Sequence, residues 1–192
     1  MLWFLVALGY LAGSIPFGVL ITSLVAKKDV RAEGSGNIGA TNIARVAGKK
    51  LGALVLVLDA AKGSLPVVLG LWLSPSETWL HVAIGAAAFL GHVFPVWLDF
   101  KGGKGVATAL GVLLVLLPIS AGIGFVTWLI VLALTRISSI GSLLGALLAI
   151  VSSFFMGRPF AYSLLGVGLL LAMVWTHRGN IERILKRKEH KV

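Results

Sequence analysis

The stretch VATALGVLLVLLPISAGIGFVTWLIVLAL, residues 106–134, holds no charged side chain over 29 positions and has a proline, Pro118, near its middle. A single helix needs about 20 apolar residues to cross a bilayer. Proline lacks the backbone N–H and clashes with the preceding turn, so helices kink or break there. The stretch is therefore one long kinked helix or two helices that meet near Pro118, and the choice sets the topology of the chain.

Five other apolar segments accompany this stretch. Residues 2–26 lack the charged N-terminal region and short apolar core of a signal peptide, so we predict a first span there. The others are residues 51–73, 79–98, 137–156 and 160–175. The chain is 58% hydrophobic and 12% charged, which favours an integral membrane protein, and it has no cysteine, which excludes disulfides and thiolate chemistry.

The distribution of lysine and arginine decides how many spans to expect. Residues 27–50 and the tail after Trp175 each hold six Lys or Arg, and such residues collect in cytoplasmic segments. Six spans would separate these two segments, whereas seven place both inside. We therefore predict an all-α, polytopic bundle of seven transmembrane helices, split near Pro118, with the N-terminus outside and the C-terminus cytoplasmic. We also predict that residues 1–192 form a single domain, and we attribute the net charge of +10 to the same bias rather than to nucleic-acid binding.

A few polar residues lie inside the predicted spans. Asp59 and Lys62 are three positions apart, and we predict that they pair in the bundle interior, because isolated charges are costly there. His81 is expected to be structural. For His92 and Ser142, each near the inner end of a span, a packing role and a role in a site both remain open.

Three polar, glycine-rich stretches interrupt the apolar segments, and the predicted topology gathers them on the cytoplasmic face. They are EGSGNIGATNIAR (33–45), FKGGKGVAT (100–108) and THRGNIERI (176–184). Glycine lets backbone N–H groups converge on an anion, and hydroxyl, amide and basic side chains add donors. The three stretches therefore predict a site for anionic oxygen.

The first stretch has the spacing of a P-loop from Gly34 to Thr41, but Ala40 stands where the lysine belongs and no strand precedes it, which excludes nucleotide hydrolysis. A flexible loop is the alternative to an anion site. A loop of that kind would favour Glu, Lys and Ser over a run of glycine and asparagine. The candidate residues are Ser35, Gly36, Asn37, Gly39, Thr41, Asn42 and Arg45.

In the second stretch, Lys104 lies between Gly103 and Gly105 just before a predicted helix. A lysine at a helix N-terminus adds its charge to backbone donors that face a phosphate. The alternative is an interfacial lysine whose ammonium group reaches the headgroups. We predict a functional role for Lys104.

In the third stretch, His177 and Asn180 are one helical turn apart and next to Arg178. This spacing places them on one face of a helix, where they contribute to the same site. The alternative is a basic headgroup anchor, and that is the role we expect for Arg183 and the later basic residues of the tail.

The ordered set GSGNIGATN, GHVFPVWLDFKGGKGVAT and HRGNIERIL resembles the bacterial acyl-phosphate:glycerol-3-phosphate acyltransferase family over almost the whole chain. The resemblance implies transfer of a fatty acyl group from acyl phosphate to the 1-hydroxyl of sn-glycerol 3-phosphate. The products would be 1-acylglycerol 3-phosphate (lysophosphatidic acid) and phosphate, in the first step of phospholipid synthesis. It also implies a bacterial inner-membrane enzyme with its site on the cytoplasmic face and no metal or other cofactor. The partners it implies are the two substrates and membrane lipid, and it indicates nothing about protein partners.

The resemblance also implies roles for individual residues. Ser35, Gly36 and Asn37 would hold the headgroup of acyl phosphate, and the glycerol phosphate or the carbonyl oxyanion would be held by Arg45, Lys104, Ser142, His177 and Asn180. We expect catalytic roles for Ser35, Asn37, Lys104, His177 and Asn180. The expected substrate-binding residues are Gly36, Gly39, Thr41, Asn42, Arg45, His92, Gly103, Ser142 and Arg178. The proton of the attacking hydroxyl would pass to His177 or to a substrate phosphate.

Two other functions are compatible with parts of the sequence. A His-x4-Asp acyltransferase that uses thioesters is one, since Glu182 follows His177 by five residues. A transporter of a phosphate ester or other anion is the other. Transporters often have inverted repeats and sites near the midplane, whereas here the donors gather at one face and no repeat is evident.

Overall fold

The computed structural model describes residues 2–192, and the regular secondary structure of that part of the chain is helical throughout, as predicted. A π-helical turn, Thr22–Ala26, and a 3-10 turn, Val96–Leu98, accompany the α-helices. The α-helices of the described residues are α1 (Phe4–Ser14), α2 (Phe17–Ile21), α3 (Ala40–Val46), α4 (Lys49–Leu73), α5 (Thr78–Val93), α6 (Val106–Leu116), α7 (Pro118–Thr135), α8 (Ser138–Ser153), α9 (Phe160–Thr176) and α10 (Arg178–Leu185).

Length and composition make several of these helices candidates for membrane crossing. Four segments are long and apolar enough to cross a membrane by themselves. Helices α9 and α10, taken together, are a fifth candidate, with a bend of 58° between them. The helices α6 and α8 are apolar but shorter. Four or five crossings therefore meet the length criterion, and the full count of seven stays a prediction. The four segments are Phe4–Ala26, Lys49–Leu73, Thr78–Leu98 and Pro118–Thr135.

The break expected near Pro118 is present. Helix α6 ends at Leu116, Leu117 leaves the helical region with φ −137° and ψ 59°, and Pro118 begins α7. Proline suits the first position of a helix because the missing N–H would have no intrahelical partner there. With 11 residues, α6 extends only about 16 Å, roughly half the hydrocarbon thickness of a bilayer.

Glycine lets two helix pairs approach backbone to backbone. A methyl group at Gly13 of α1 would lie 2.0 Å from the carbonyl oxygen of Ala88 in α5. A methyl group at Gly145 of α8 would lie 2.5 Å from the carbonyl oxygen of Gly124 in α7. Any side chain at either position would push the helices apart, so these glycines set the spacing of the bundle.

The predicted pairing of Asp59 with Lys62 is confirmed. The Lys62 ammonium nitrogen lies 2.8 Å from Asp59 Oδ1, and both side chains are only 3% exposed. Lys62 also donates a hydrogen bond of 2.8 Å to the carbonyl of Ile15, which lies at the break between α1 and α2. The break leaves this carbonyl outside the helix ladder, and it accepts from the buried ammonium group and from the backbone N–H of Phe17, the latter at 3.1 Å.

Candidate active site

A cavity of about 550 Å³ lies where the three polar stretches meet. It continues between α6, α7, α8 and α9 as an apolar region whose walls include Leu113, Ala121, Ala149 and Leu169. Residues far apart in the sequence therefore share one site with a polar and an apolar part. The predicted site residues that line it are Ser35, Asn37, Gly39, Thr41, Asn42, Arg45, His92, Lys104, Ser142, His177 and Asn180.

The cavity is lined by more positive than negative side chains. Its two acidic residues are Asp59, which is already paired with Lys62, and Glu189. Opposed to them are four basic residues, namely Arg45, Lys49, Lys104 and Arg136. An excess of cations inside an apolar protein raises the local concentration of anions. The electrostatics of the cavity thus suit an anionic ligand.

The first polar stretch is a folded element rather than a flexible loop. Its apolar residues Ile38 and Ile43 are buried in a small core with Val30 and Val55 of α4. Burying such side chains holds the backbone between them in one conformation. The short helix α3, which the sequence analysis did not predict, forms because Ile43 has this partner surface.

Asn42 holds this stretch together from within. Its amide nitrogen donates to the carbonyls of Glu33 (3.1 Å) and Asn37 (2.9 Å), and its Oδ1 accepts from the backbone N–H of Ser35 (2.9 Å). These bonds engage both ends of the carboxamide. Asn42 therefore shapes the loop, and because it also lines the cavity, its role in substrate binding stays a prediction.

The hydroxyl and amide donors of the first stretch face the cavity from a fixed backbone. Asn37 Oδ1 accepts a hydrogen bond from the backbone N–H of Gly39 at 2.8 Å, and the side-chain NH₂ group of Asn37 takes no part in that bond. The Thr41 and Ser138 hydroxyls lie 3.0 Å apart, and the Ser142 hydroxyl donates to the Ser138 carbonyl at 2.9 Å. These contacts join α3 to the start of α8.

Lys104 projects from the second stretch toward the third. Its ammonium group donates to Asn180 Oδ1, and its carbonyl accepts from the Thr176 hydroxyl at 3.2 Å. Gly105, with φ +82°, follows it, and a methyl group there would lie 2.1 Å from the Phe89 ring. A left-handed backbone against an aromatic ring requires glycine, and the resulting turn aims Lys104 into the cavity.

The pKa of Lys104 is lowered to about 8, chiefly by burial; Glu189 opposes the shift, and the charges of Arg183 and Arg45 contribute to it. Desolvation disfavours a charged amine because water no longer solvates it. The ammonium group is therefore charged at neutral pH but loses its proton a little above it.

His177 presents a neutral imidazole. Its Nδ1 lies 2.8 Å from the Met173 carbonyl, and because a carbonyl only accepts, Nδ1 carries the proton and Nε2 is the acceptor. Burial and the nearby charge of Lys104 lower the pKa of His177 to about 4. The residue as a whole is 2% exposed. At neutral pH it is thus an uncharged hydrogen-bond acceptor and a weak base.

Glu189, which the sequence analysis did not single out, completes the site. Its Oε1 accepts from the Asn180 amide and from the Ser139 hydroxyl, the latter at 3.1 Å. Its Oε2 accepts from Arg183 Nε at 2.8 Å. Arg183 is therefore paired within the protein through Nε, and its expected role as a headgroup anchor stays a prediction. The feature of the sequence that could have indicated Glu189 is its position as a lone acidic residue within the basic tail KRKEHKV, residues 186–192.

Three expected substrate-binding residues lie outside the cavity. The Arg178 guanidinium stacks over the Trp175 ring at 4.6 Å and donates to the Trp175 carbonyl at 3.1 Å, so it faces away from the site. Gly103 packs against the ring of His92, where a methyl group would lie 2.2 Å from Nε2. Gly36 turns the chain with φ +69°. The two glycines shape the backbone, and none of the three lines the cavity.

Residues 2–192 contain no group of three or more His, Cys, Asp or Glu side chains arranged to hold a metal ion. Donors of N–H and O–H type predominate among the predicted residues on the cavity wall. Such donors bind anionic oxygen directly through hydrogen bonds.

Comparison with known proteins defines the family. A profile described as glycerol-3-phosphate acyltransferase matches residues 3–187. The chain is 57% identical over 187 residues to the glycerol-3-phosphate acyltransferase of Myxococcus xanthus (strain DK1622), with 97% of each chain covered. It is 43% identical over 196 residues to the protein of the same name from Zymomonas mobilis subsp. mobilis, with 96% of this chain and 92% of the relative covered.

Solved structures show the same fold. The glycerol 3-phosphate form of PlsY (YgiH), an integral membrane glycerol 3-phosphate acyltransferase, matches with a TM-score of 0.94 and 40% identity over 98% of this chain and 94% of that one. Its lysophosphatidic acid form matches with a TM-score of 0.90 and 39% identity over 98% and 93%. The fold is that of an integral membrane protein. The chain belongs to the glycerol-3-phosphate acyltransferase family.

Proposed function

We propose that this protein transfers a fatty acyl group from acyl phosphate to the 1-hydroxyl of sn-glycerol 3-phosphate, giving lysophosphatidic acid and phosphate. One observation carries the proposal: the three donor clusters line a single cavity that continues into an apolar region between α6 and α9. Both substrates carry phosphate, and one carries an acyl chain, so such a cavity suits both. The two forms of the related PlsY structure carry the expected acceptor and product.

The reaction needs positioning and charge stabilisation more than a protein nucleophile. The glycerol hydroxyl oxygen attacks the acyl carbonyl carbon, and the bond between that carbon and the phosphate oxygen then breaks. Acyl phosphate already has a good leaving group, so holding the two substrates in contact supplies much of the rate. Fixed donors stabilise the oxyanion that forms between the two steps.

The roles we assign divide the cavity between the two substrates. Ser35 and Asn37 hold the phosphate of the donor, and Gly36 and Gly39 give their loop its shape. Arg45, Lys104 and Asn180 hold the phosphate of the acceptor or the oxyanion. Their positions on the cavity wall support this assignment.

We infer that the hydroxyl proton passes to a substrate phosphate rather than to His177. The second pKa of a phosphate monoester is about 6, whereas the pKa of His177 is lowered to about 4. The phosphate is the stronger base by roughly two units, which corresponds to about a hundredfold in proton affinity. His177 Nε2 then accepts a hydrogen bond from a substrate hydroxyl and orients it.

We further propose that the chain crosses the bacterial inner membrane seven times, with the N-terminus outside and the site on the cytoplasmic face. The six basic residues in 27–50 and the six in the tail support this orientation. The thioester alternative has less support, because Glu182 is exposed and pairs with Lys186 at 2.6 Å on the surface.

The direct test uses purified protein in detergent with acyl phosphate and glycerol 3-phosphate. Phosphate release that requires both substrates is expected, together with loss of that release in Lys104→Ala. Lys101→Ala is the matched control, since Lys101 lies exposed three residues earlier in the same stretch. Uptake of glycerol 3-phosphate into vesicles without phosphate release would refute the proposal in favour of transport.

A further inference from the structure

The C-terminal tail folds back onto the cavity and inserts one acidic side chain. Glu189 has a side chain that is 4% exposed, although its neighbours Lys188 and His190 are exposed. Lys, Glu and Arg are rarely buried unless they are paired. The burial of a carboxylate within a basic tail therefore calls for a specific role.

The Glu189 carboxylate accepts hydrogen bonds from donors on two helices. Asn180 and Arg183 of α10 and Ser139 of α8 all donate to it. Hydrogen bonds to an ionised group are the stronger ones, and each also restrains its donor. Glu189 thereby locks the end of the chain to both helices.

One of these bonds sets the orientation of a predicted catalytic residue. A carboxylate only accepts hydrogen bonds, so Asn180 must turn its NH₂ group toward Glu189. Its Oδ1 then points the other way, where it accepts from the Lys104 ammonium group. The Lys104 ammonium group only donates, so it and the carboxylate hold the amide in the same orientation, and Glu189 is the partner that fixes the NH₂ end.

The same tail also holds Arg45. Its Nε donates to the Lys191 carbonyl at 3.0 Å, and its Nη2 donates to the His190 carbonyl at 3.1 Å. The backbone N–H of Val192 in turn donates to the Arg136 carbonyl at 2.8 Å. Residues directly after Glu189 thus restrain the guanidinium group of α3 against the end of α7.

We propose that Glu189 is a positioning residue for the glycerol phosphate subsite, acting through Asn180, Lys104 and Arg45 without touching the substrate. The inference rests on the proposed function, because it assumes that these three groups bind the acceptor. Arg183 offsets the carboxylate charge directly, and Arg45 and Lys104 leave the subsite positive for a phosphate dianion.

The test compares Glu189→Gln with Glu182→Gln, a matched control glutamate on the exposed side of α10. Glutamine keeps the size of the side chain but turns one acceptor into a donor against Arg183 or Asn180. Losing a charge-assisted bond of this kind is expected to raise the KM for glycerol 3-phosphate roughly tenfold. The KM for acyl phosphate should stay within about twofold of wild type, and Glu182→Gln should match wild type.

A second variant keeps the inference testable if Glu189→Gln folds poorly. Ser139→Ala removes one donor to Glu189 and is expected to raise the KM for glycerol 3-phosphate roughly threefold. If Ser139 acts through the carboxylate, the double variant should be no worse than Glu189→Gln alone.

Three results would overturn the inference. The KM for glycerol 3-phosphate could be unchanged in Glu189→Gln, both KM values could rise equally, or the KM for glycerol 3-phosphate could fall. The last result would mean that the tail carboxylate competes with the substrate phosphate. If wild type itself releases no phosphate from the two substrates together, the proposed function fails instead.

Discussion

Raising the pH through 8 removes the positive charge of Lys104 and is expected to weaken capture of glycerol 3-phosphate. The pKa of this ammonium group is lowered to about 8, chiefly by burial; Glu189 opposes this shift, and Arg183 and Arg45 contribute to it. A lowered amine pKa means that the charged form is complete well below pH 8 and is lost above it. Weaker binding of glycerol 3-phosphate should therefore appear on the alkaline side of the pH profile.

The magnitude follows from the pKa. With a pKa of about 8, roughly one half of the free enzyme is charged at pH 8 and about one tenth at pH 9. Because kcat/KM reports the protonation of the free enzyme, it should fall about tenfold between pH 7 and pH 9. An exposed lysine, whose pKa is about 10.4, would show no such fall in this range.

The assay is phosphate release with both substrates well below saturation, so that the rate reports the free enzyme, measured from pH 6 to pH 10. Lys104→Arg is the informative variant, since arginine stays protonated throughout. Whatever its activity at pH 7, its profile should remain flat to pH 9. A flat wild-type profile, or a limb near pH 8 that persists in Lys104→Arg, would refute the assignment of this pKa to Lys104.

Two further predictions concern other residues of the bundle. His177→Asn should keep most of kcat and raise the KM for glycerol 3-phosphate, because a substrate phosphate is a stronger base than His177. A loss of kcat of about a thousandfold at saturating substrate, which is typical of removing a general base, would instead make His177 the base. Asp59→Asn should lower the melting temperature in detergent, since it leaves the buried Lys62 ammonium group without its counter-ion at a cost of about 3 kcal/mol. Adding Lys62→Met should recover part of that loss, and a double variant less stable than Asp59→Asn would contradict this account.

Much of the fold is predictable from short-range physics. The apolar segments expected at 137–156 and 160–175 are found as Ser138–Ser153 and Phe160–Thr176, because helices in an apolar medium must satisfy their own backbone. The helix break near Pro118 is also found where expected, because proline lacks the backbone N–H that would continue the preceding helix. Helix α3 was not predicted, since its formation depends on Ile43 meeting Val55 across the loop.

The candidate site was likewise predictable in part from the sequence. Residue types alone indicated that the three glycine-rich stretches bind anionic oxygen, and the cavity brings them together. Residue types did not show which members face it. Arg178 and Asn180 are two positions apart, yet the first stacks on Trp175 outside and the second lies in the cavity.

By itself, the sequence determined the class of protein, the break at Pro118 and the chemistry of the three polar stretches, because hydropathy, charge and proline act locally along the chain. Only the tertiary structure decided that Asn42 serves the loop, that Arg183 is paired, and that Glu189 orients Asn180. Those outcomes depend on which side chains meet when helices pack, and donor–acceptor contacts made within about 3 Å have no signature in residue spacing.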